Sequence, residues 1–286
     1  MTISLARSYS YCERVARRQA ANFYPAFRVL PASQRRAMCA LYAFLRVTDD
    51  LVDASGTIAE RQDALGRWRA QFERALNGDY SHLLYPAFHH VIRSYAIPRG
   101  YLDAVLDGVQ MDLSLSSYAT FADLYRYCYR VASAVGLSCI HIWGFKSEEA
   151  KIHAESAGIA LQLTNILRDL GEDILRGRIY LPQEDLERFN YTATELEKGE
   201  RSAKFKRLME FQVKRARDYY RNAKLLSPYL GPAGRAVFQV IVGTYERLLD
   251  AIEERNYDVF SERVRVSGWR KITLVVQAIP VRLGWT

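Results

Sequence analysis

Met38-Cys39-Ala40-Leu41-Tyr42-Ala43-Phe44-Leu45 runs almost directly into Asp49-Asp50-Leu51-Val52-Asp53. An apolar helical stretch that ends in three carboxylates is an unusual surface. On a helix Asp49 and Asp53, four residues apart, share a face with Asp50 beside them. Like charges so placed repel, and hard divalent cations lying between carboxylates relieve that repulsion. The plainer reading of such a cluster is an acidic solvent face or a salt-bridge network.

A second cluster repeats the pattern. Asp169-Leu170-Gly171-Glu172-Asp173 lies more than a hundred residues downstream. Gln162, Asn165, Arg168, Asp169, Glu172 and Asp173 recur at spacings that line one side of a helix. Asp169 and Asp173 are the strongest candidate metal ligands there, and Gln162 and Asn165 suit positioning of a substrate or a water. Arg46 and Arg168 place guanidinium forks beside the carboxylates, a geometry suited to phosphate oxygens. The pair of acidic helices therefore points to two walls of one site that handles a diphosphate through bound Mg²⁺.

Most of the remaining chain has helical periodicity, with few β-branched runs. A first helix is expected over 5 to 24, stopped by Pro25, and a long one through Asp53 with Ser33 as its cap. Further helices are expected near 58 to 77, 81 to 95, 98 to 111, 120 to 143, 147 to 175, 202 to 227 and 232 to 253. The stretch from Ser267 reads as a terminal helix or an apolar strap. The expected fold class is all-α, one large domain over 1 to 286 whose long helices surround a central space.

Between Tyr125 and Gly136, aromatic residues precede small ones, and Tyr127, Val131, Val135 and Gly136 can share a face. That would suit the dry aromatic wall of a cavity that shelters a carbocation; ordinary helix packing leaves the same stripe. Tyr180 leaves the second acidic helix through Gly177 and could close such a cavity. The formal charge of +8, from 40 Lys+Arg against 32 Asp+Glu, is dispersed, without zinc-finger spacing or an RNP-like motif, so no nucleic-acid partner is expected. Four cysteines without a CxxC pair read as apolar core residues of a reducing compartment. With no signal-like start and no spanning apolar run, the expected location is cytoplasmic or peripheral on the inner membrane.

In these motifs the chain resembles the squalene/phytoene synthase family, head-to-head prenyl transferases of the isoprenoid synthase fold. The resemblance extends from about 8 to 265, and its most specific marks are Tyr42 through Asp53, Gly108 through Asp112, Tyr127 through Gly136, and Gln162 through Pro182. It implies that Asp49, Asp50 and Asp53 form the first aspartate-rich motif and Asp169 and Asp173 the second, with Glu172 beside them. Metal ligation is expected from Asp49, Asp53, Asn165, Asp169, Glu172 and Asp173. Tyr127 matches the tyrosine near the rearranging substrate. Phe23, Phe27, Tyr42, Val131, Val135 and Leu161 match apolar pocket positions, with Tyr245 and Arg263 closing the far side. Where family members place Ser and a basic residue before Phe23, this chain has Gln19-Ala20-Ala21-Asn22, so Arg18 or Asn22 is expected to help hold one diphosphate.

The implied reaction joins two prenyl diphosphates, with Mg²⁺ as cofactor, roughly two or three ions per site and Mn²⁺ as a substitute. Ala132-Ser133-Ala134 and the Asn165 to Pro182 segment resemble the presqualene-forming branch, which joins two farnesyl diphosphates without NADPH. Phytoene synthase, using two geranylgeranyl diphosphates, and dehydrosqualene or squalene synthase are the alternatives. Downstream isoprenoid enzymes are the expected partners, and the apolar terminus with positive charge would bring the chain to a membrane surface. A catalytically silent lipid-binding scaffold is the non-enzymatic alternative, against which the intact carboxylates in both motifs argue.

Overall fold

A computed structural model describes residues 3–285. Among them there is no β-strand, only two isolated bridges, Ser117 with Ile179 and Phe145 with Leu230. The first half runs α1 (Leu5–Gln19), the single turn α2 (Tyr24–Phe27), α3 (Ala32–Asp53), α4 (Ile58–Leu76), α5 (Tyr85–Ser94), α6 (Arg99–Met111) and α7 (Phe121–Cys128). A π-helical turn, Tyr129–Ser133, joins α7 to α8 (Ala134–Trp143), and α9 (Ala150–Leu175) follows. Then come the short α10 (Gln183–Arg188) and α11 (Ala193–Glu197), the long α12 (Ala203–Lys224) and α13 (Pro232–Glu254), and α14 (Gly268–Leu283).

Several boundaries differ from the sequence reading: the helix expected from 81 begins at Tyr85, and the one expected over 120 to 143 is interrupted by the π turn. The first helix ends at Gln19 rather than near Tyr24, and Pro25 begins α2 instead, where its missing N–H and fixed φ suit a first turn. Pro31, not Ser33, is the residue before α3, so Ser33 lies within the first turn and no side chain caps it. The region between the second acidic helix and α12, for which periodicity gave no helix, holds α10 and α11, the latter closed by a Thr192 and Glu195 capping box. The terminal stretch is a helix, α14.

α3 has two distinct faces. Its back face carries Phe44, stacked on Phe88 with ring centroids 4.3 Å apart and packed against Phe72 and Trp68. Thr48 donates to the Phe44 carbonyl and accepts from Trp68 Nε1 at 2.9 Å, which fixes the helix rotation about its axis. With that face committed to α4 and α5, positions 42, 45, 46 and 49 turn toward the centre of the molecule. α9 is held in the same way from behind: Thr164 and Tyr220 of α12 share a 2.8 Å hydroxyl bond, and Ile159, Leu163, Ile166 and Leu170 are buried.

Two glycines let the π turn sit close between helices. A Cβ on Gly158 of α9 would lie 2.3 Å from the Ser133 backbone, and one on Gly108 of α6 would lie 2.7 Å from a Val131 methyl. This close approach brings Val131 and Ala132 onto the inner wall. All four cysteines are buried and unpaired, as their apolar setting in the sequence predicts.

Candidate active site: an apolar cavity under two acidic walls

The helices enclose a cavity of about 830 Å³. Its floor is formed by Met38, Trp143, Ala154 and Phe238, and its mouth by Tyr42, Arg46, Asp49, Gln162, Asn165 and Arg168. Ala154 and Arg168 lie on one continuous helix, so at 1.5 Å rise per residue the cavity is roughly 21 Å deep. Phe23 stacks on Tyr245 with centroids 5.7 Å apart and also meets Tyr42, giving an aromatic collar below the charged rim. Such a collar offers π faces to a cation and excludes water from it.

The two acidic helix ends meet at the rim. Arg176 Nη1, just beyond the second cluster, is 4.0 Å from Asp53 Oδ1 at the end of the first. Asp49 opens into the cavity yet is crowded by protein, and its carboxyl is pushed up to about 7 by lost hydration, with Asp53, Asp112 and Asp50 adding repulsion against the pull of Arg46. Asp173 is also pushed up to about 7, first by burial and then by Asp169. The Asp112 charge is felt by both. Carboxylates raised in this way on opposing walls form a site that a cation would stabilise.

Arginines neutralise the rest of the rim. Asp50 pairs with Arg46. Asp169 is gripped from two sides: Arg168 Nε donates to Oδ1 at 2.6 Å and its Nη2 to Oδ2, while Arg263 reaches the same two oxygens at 3.0 and 3.1 Å. Arg263 Nε is also 3.5 Å from Glu172. Asn165 Nδ2 donates to Gln162 at 3.4 Å, leaving the buried Asn165 Oδ1 without a partner.

Behind the rim, Asp112 organises the aromatic groups. Tyr180 donates to its Oδ1 at 2.9 Å and Tyr127 to its Oδ2 at 3.2 Å, and the two phenol rings stack at 5.2 Å. Arg178 Nη2 donates to the Asp112 carbonyl at 3.0 Å, which locks the end of α6 to the segment leaving α9. Burial and the Asp112 charge raise the Tyr127 phenol well above its ordinary value, so it remains a proton donor.

Of the residues singled out in the sequence, Asn22, Phe23, Phe27, Tyr42, Arg46, Asp49, Val131, Val135, Gly136, Leu161, Gln162, Asn165, Arg168, Tyr245 and Arg263 line the cavity. Asp50, Asp53, Asp169, Glu172 and Asp173 belong to the rim, and Tyr127 and Tyr180 to the Asp112 cluster. Arg18 is exposed in the last turn of α1 and does not line the cavity. Lys271 takes the position beside Asn22, donating to its Oδ1 at 2.6 Å, and Arg265 lines the cavity with it. No local pattern marks these two. Asp112 carried a signal, since the Gly108 to Asp112 spacing was one of the family marks.

The donor set fits a hard cation: carboxylates and an orphaned amide oxygen, without thiolate or imidazole. No group of three or more His, Cys, Asp or Glu side chains among the described residues forms a ready metal cage. Mg²⁺ commonly binds through one or two carboxylates plus waters and substrate phosphates, so paired carboxylates on facing walls are sufficient.

The squalene/phytoene synthase sequence profile matches residues 16–270. A 15-cis-phytoene synthase of Synechococcus elongatus is 37% identical over 281 residues, covering 94% of this chain and 91% of that protein. The crystal structure of a dehydrosqualene synthase in complex with ligand superposes with a TM-score of 0.89 at 29% identity, covering 96% of each chain. Squalene synthase HpnC from Alicyclobacillus acidocaldarius superposes at 0.83 with 25% identity, over 90% of this chain and 97% of that one.

Proposed function

Because the chain belongs to the squalene/phytoene synthase family, head-to-head prenyl transferases of the isoprenoid synthase fold, we propose that it condenses two farnesyl diphosphates to presqualene diphosphate. The observation that carries the head-to-head condensation is the apolar cavity that runs down from an acidic rim built on two facing helices. The Ala132-Ser133-Ala134 segment, which resembles the presqualene-forming branch, favours C15 substrates.

In this mechanism the diphosphates sit at the rim and the chains run down toward Trp143 and Phe238. Asp49, Asp53, Asp169, Glu172 and Asp173, with Asn165, are the residues that would hold Mg²⁺, which when bound neutralises the diphosphate and makes it a better leaving group. Arg46, Arg168 and Arg263 supply further positive charge to the departing oxygens. Lys271 and Asn22 hold the second diphosphate in place of Arg18. As the donor's C1–O bond breaks, Phe23, Tyr42 and Tyr245 face the allylic cation. The acceptor's C2=C3 double bond attacks C1, and loss of a proton closes the cyclopropane. The Tyr127 phenol is already protonated and committed to Asp112, so the proton goes to the released diphosphate.

A specific observation favours a second reading: the 37% identical relative is a phytoene synthase, which would mean C20 substrates here. Purified enzyme incubated with Mg²⁺ and either C15 or C20 diphosphate, with and without NADPH, separates the two by mass spectrometry. A C30 cyclopropyl diphosphate formed regardless of NADPH is the expected product. A neutral C40 hydrocarbon from the C20 substrate would replace this reading with the phytoene one. Asp49→Ala and Asp169→Ala are expected to abolish product while helicity is kept, and unchanged turnover in both would overturn the two-wall metal site.

A further inference from the structure

The two acidic helices end in different ways. Past Asp173, α9 is closed by its own backbone: Gly177, left-handed at φ 73°, donates to the Ile174 carbonyl at 2.9 Å, and Arg178 donates to the Asp173 carbonyl at 2.9 Å. Bonds of this kind satisfy the last carbonyls of a helix. α3 is not closed that way. Ala54 turns straight to extended backbone after Asp53, at φ −63° and ψ 149°, so no left-handed residue there folds the chain back onto the final turn. A side chain takes over. Arg61, at the end of the first turn of α4, donates from Nη1 to the Val52 carbonyl at 3.1 Å. The Thr57 and Glu60 capping box fixes that end of α4. The Arg61 Nε is buried without a partner, so the Val52 carbonyl is what holds the guanidinium. Its charge also lies at the negative end of the α3 dipole.

Asp53 depends on this contact more than the other rim carboxylates do. Asp50 pairs with Arg46, and Asp169 is gripped by two arginines. The Asp53 carboxylate, by contrast, has among the described residues only Arg176 at 4.0 Å, beyond hydrogen-bond range. Its direction is therefore set by the backbone of the last turn, which Arg61 pins one residue away. We propose that Arg61 is a positioning residue for the metal site: by capping α3 it holds Asp53 facing the second acidic wall. The inference rests on the reading of the rim as a metal-bound diphosphate site. Mg²⁺ demands near-ideal octahedral geometry, so a frayed last turn weakens its binding. Arg61 does not line the cavity, and its loss leaves the hydrocarbon chamber and the aromatic collar as they are. The effect therefore belongs to metal demand and not to the chemistry of the chains.

Full-length protein with inorganic diphosphate at fixed concentration is titrated with Mg²⁺, and the ion concentration giving half the maximal rise in melting temperature is recorded. Arg61→Met, which keeps an apolar stem and removes the donors, is expected to need about tenfold more Mg²⁺. With prenyl diphosphate as substrate, the Mg²⁺ activation constant is expected to rise by the same factor, while kcat at saturating Mg²⁺ stays near that of the parent. Arg61→Lys retains a donor for the carbonyl and is expected to recover most of the loss. If Arg61→Met does not fold, Arg61→Gln, too short to reach Val52, reads the same shift. Unchanged Mg²⁺ demand in the variant, or a lower kcat without a change in Mg²⁺ demand, overturns the role of Arg61 and leaves the metal site standing. A parent that gains no stability from Mg²⁺ and diphosphate together removes the metal site itself, and this role with it.

Discussion

Asp112 shows how a residue outside the cavity lining can govern the site. Its two carboxylate oxygens each hold one phenol, so Asp112→Asn, which keeps the shape but alters the acceptor, is expected to release Tyr127 from its orientation. A roughly hundredfold fall in kcat with little change in KM is the predicted result; near-parent kcat would show that the cluster is only structural. Asp49 and Asp173 make a pH prediction. Both bind protons more tightly in the folded protein, at about 7, than in the unfolded chain. The stability this gives is fully present below the unfolded value, roughly 3.9, and is lost as pH rises through about 7. The melting temperature of the ligand-free protein is therefore expected to fall more steeply with rising pH, between about 4 and 7, than that of Asp49→Asn/Asp173→Asn. Parallel slopes would remove the two carboxyls from the balance. Asp49 and Arg168 were legible in the sequence because helical spacing alone places them on a face. Lys271 was not, because its partner Asn22 lies 249 residues away.

Among the elements, the π turn, like α10 and α11, is one that periodicity could not reveal. It differs from the flanking α-helices only by the register of its backbone hydrogen bonds, and its residues, Tyr129 to Ser133, have no distinctive composition. Its tight seat against α9 is nevertheless testable. Gly158→Ala would drive a methyl into the Ser133 backbone and is expected to cost about 3 kcal/mol, visible as a lower denaturation midpoint; a midpoint within error of the parent would mean the helices can part freely. The long helices α3 and α9 were readable because each combines an apolar back face with a polar front. The cap of α3 was misread for a local reason: Pro31 already imposes the extended entry, so Ser33 is carried into the first turn with nothing left to cap.

For the molecule as a whole, the all-helical architecture followed from periodicity, while the depth of the chamber depends on side chains that meet only after folding. Trp143, Met38 and Phe238 come from three helices and together set the floor. Trp143→Ala should deepen it and raise the ratio of C20 to C15 turnover by about tenfold, measured by competing the two substrates; an unchanged ratio would place the length determinant elsewhere. The double grip on Asp169 has a consequence at the same scale. Before substrate arrives, guanidinium groups already serve as the counterions of this carboxylate, so this corner of the rim is internally neutralised. Loading the site is then a swap of partners, in which Arg168 and Arg263 leave one anion for another, and the net field drawing substrate in from solution changes little. Substrate capture should accordingly respond weakly to ionic strength, despite the crowd of charges at the entrance.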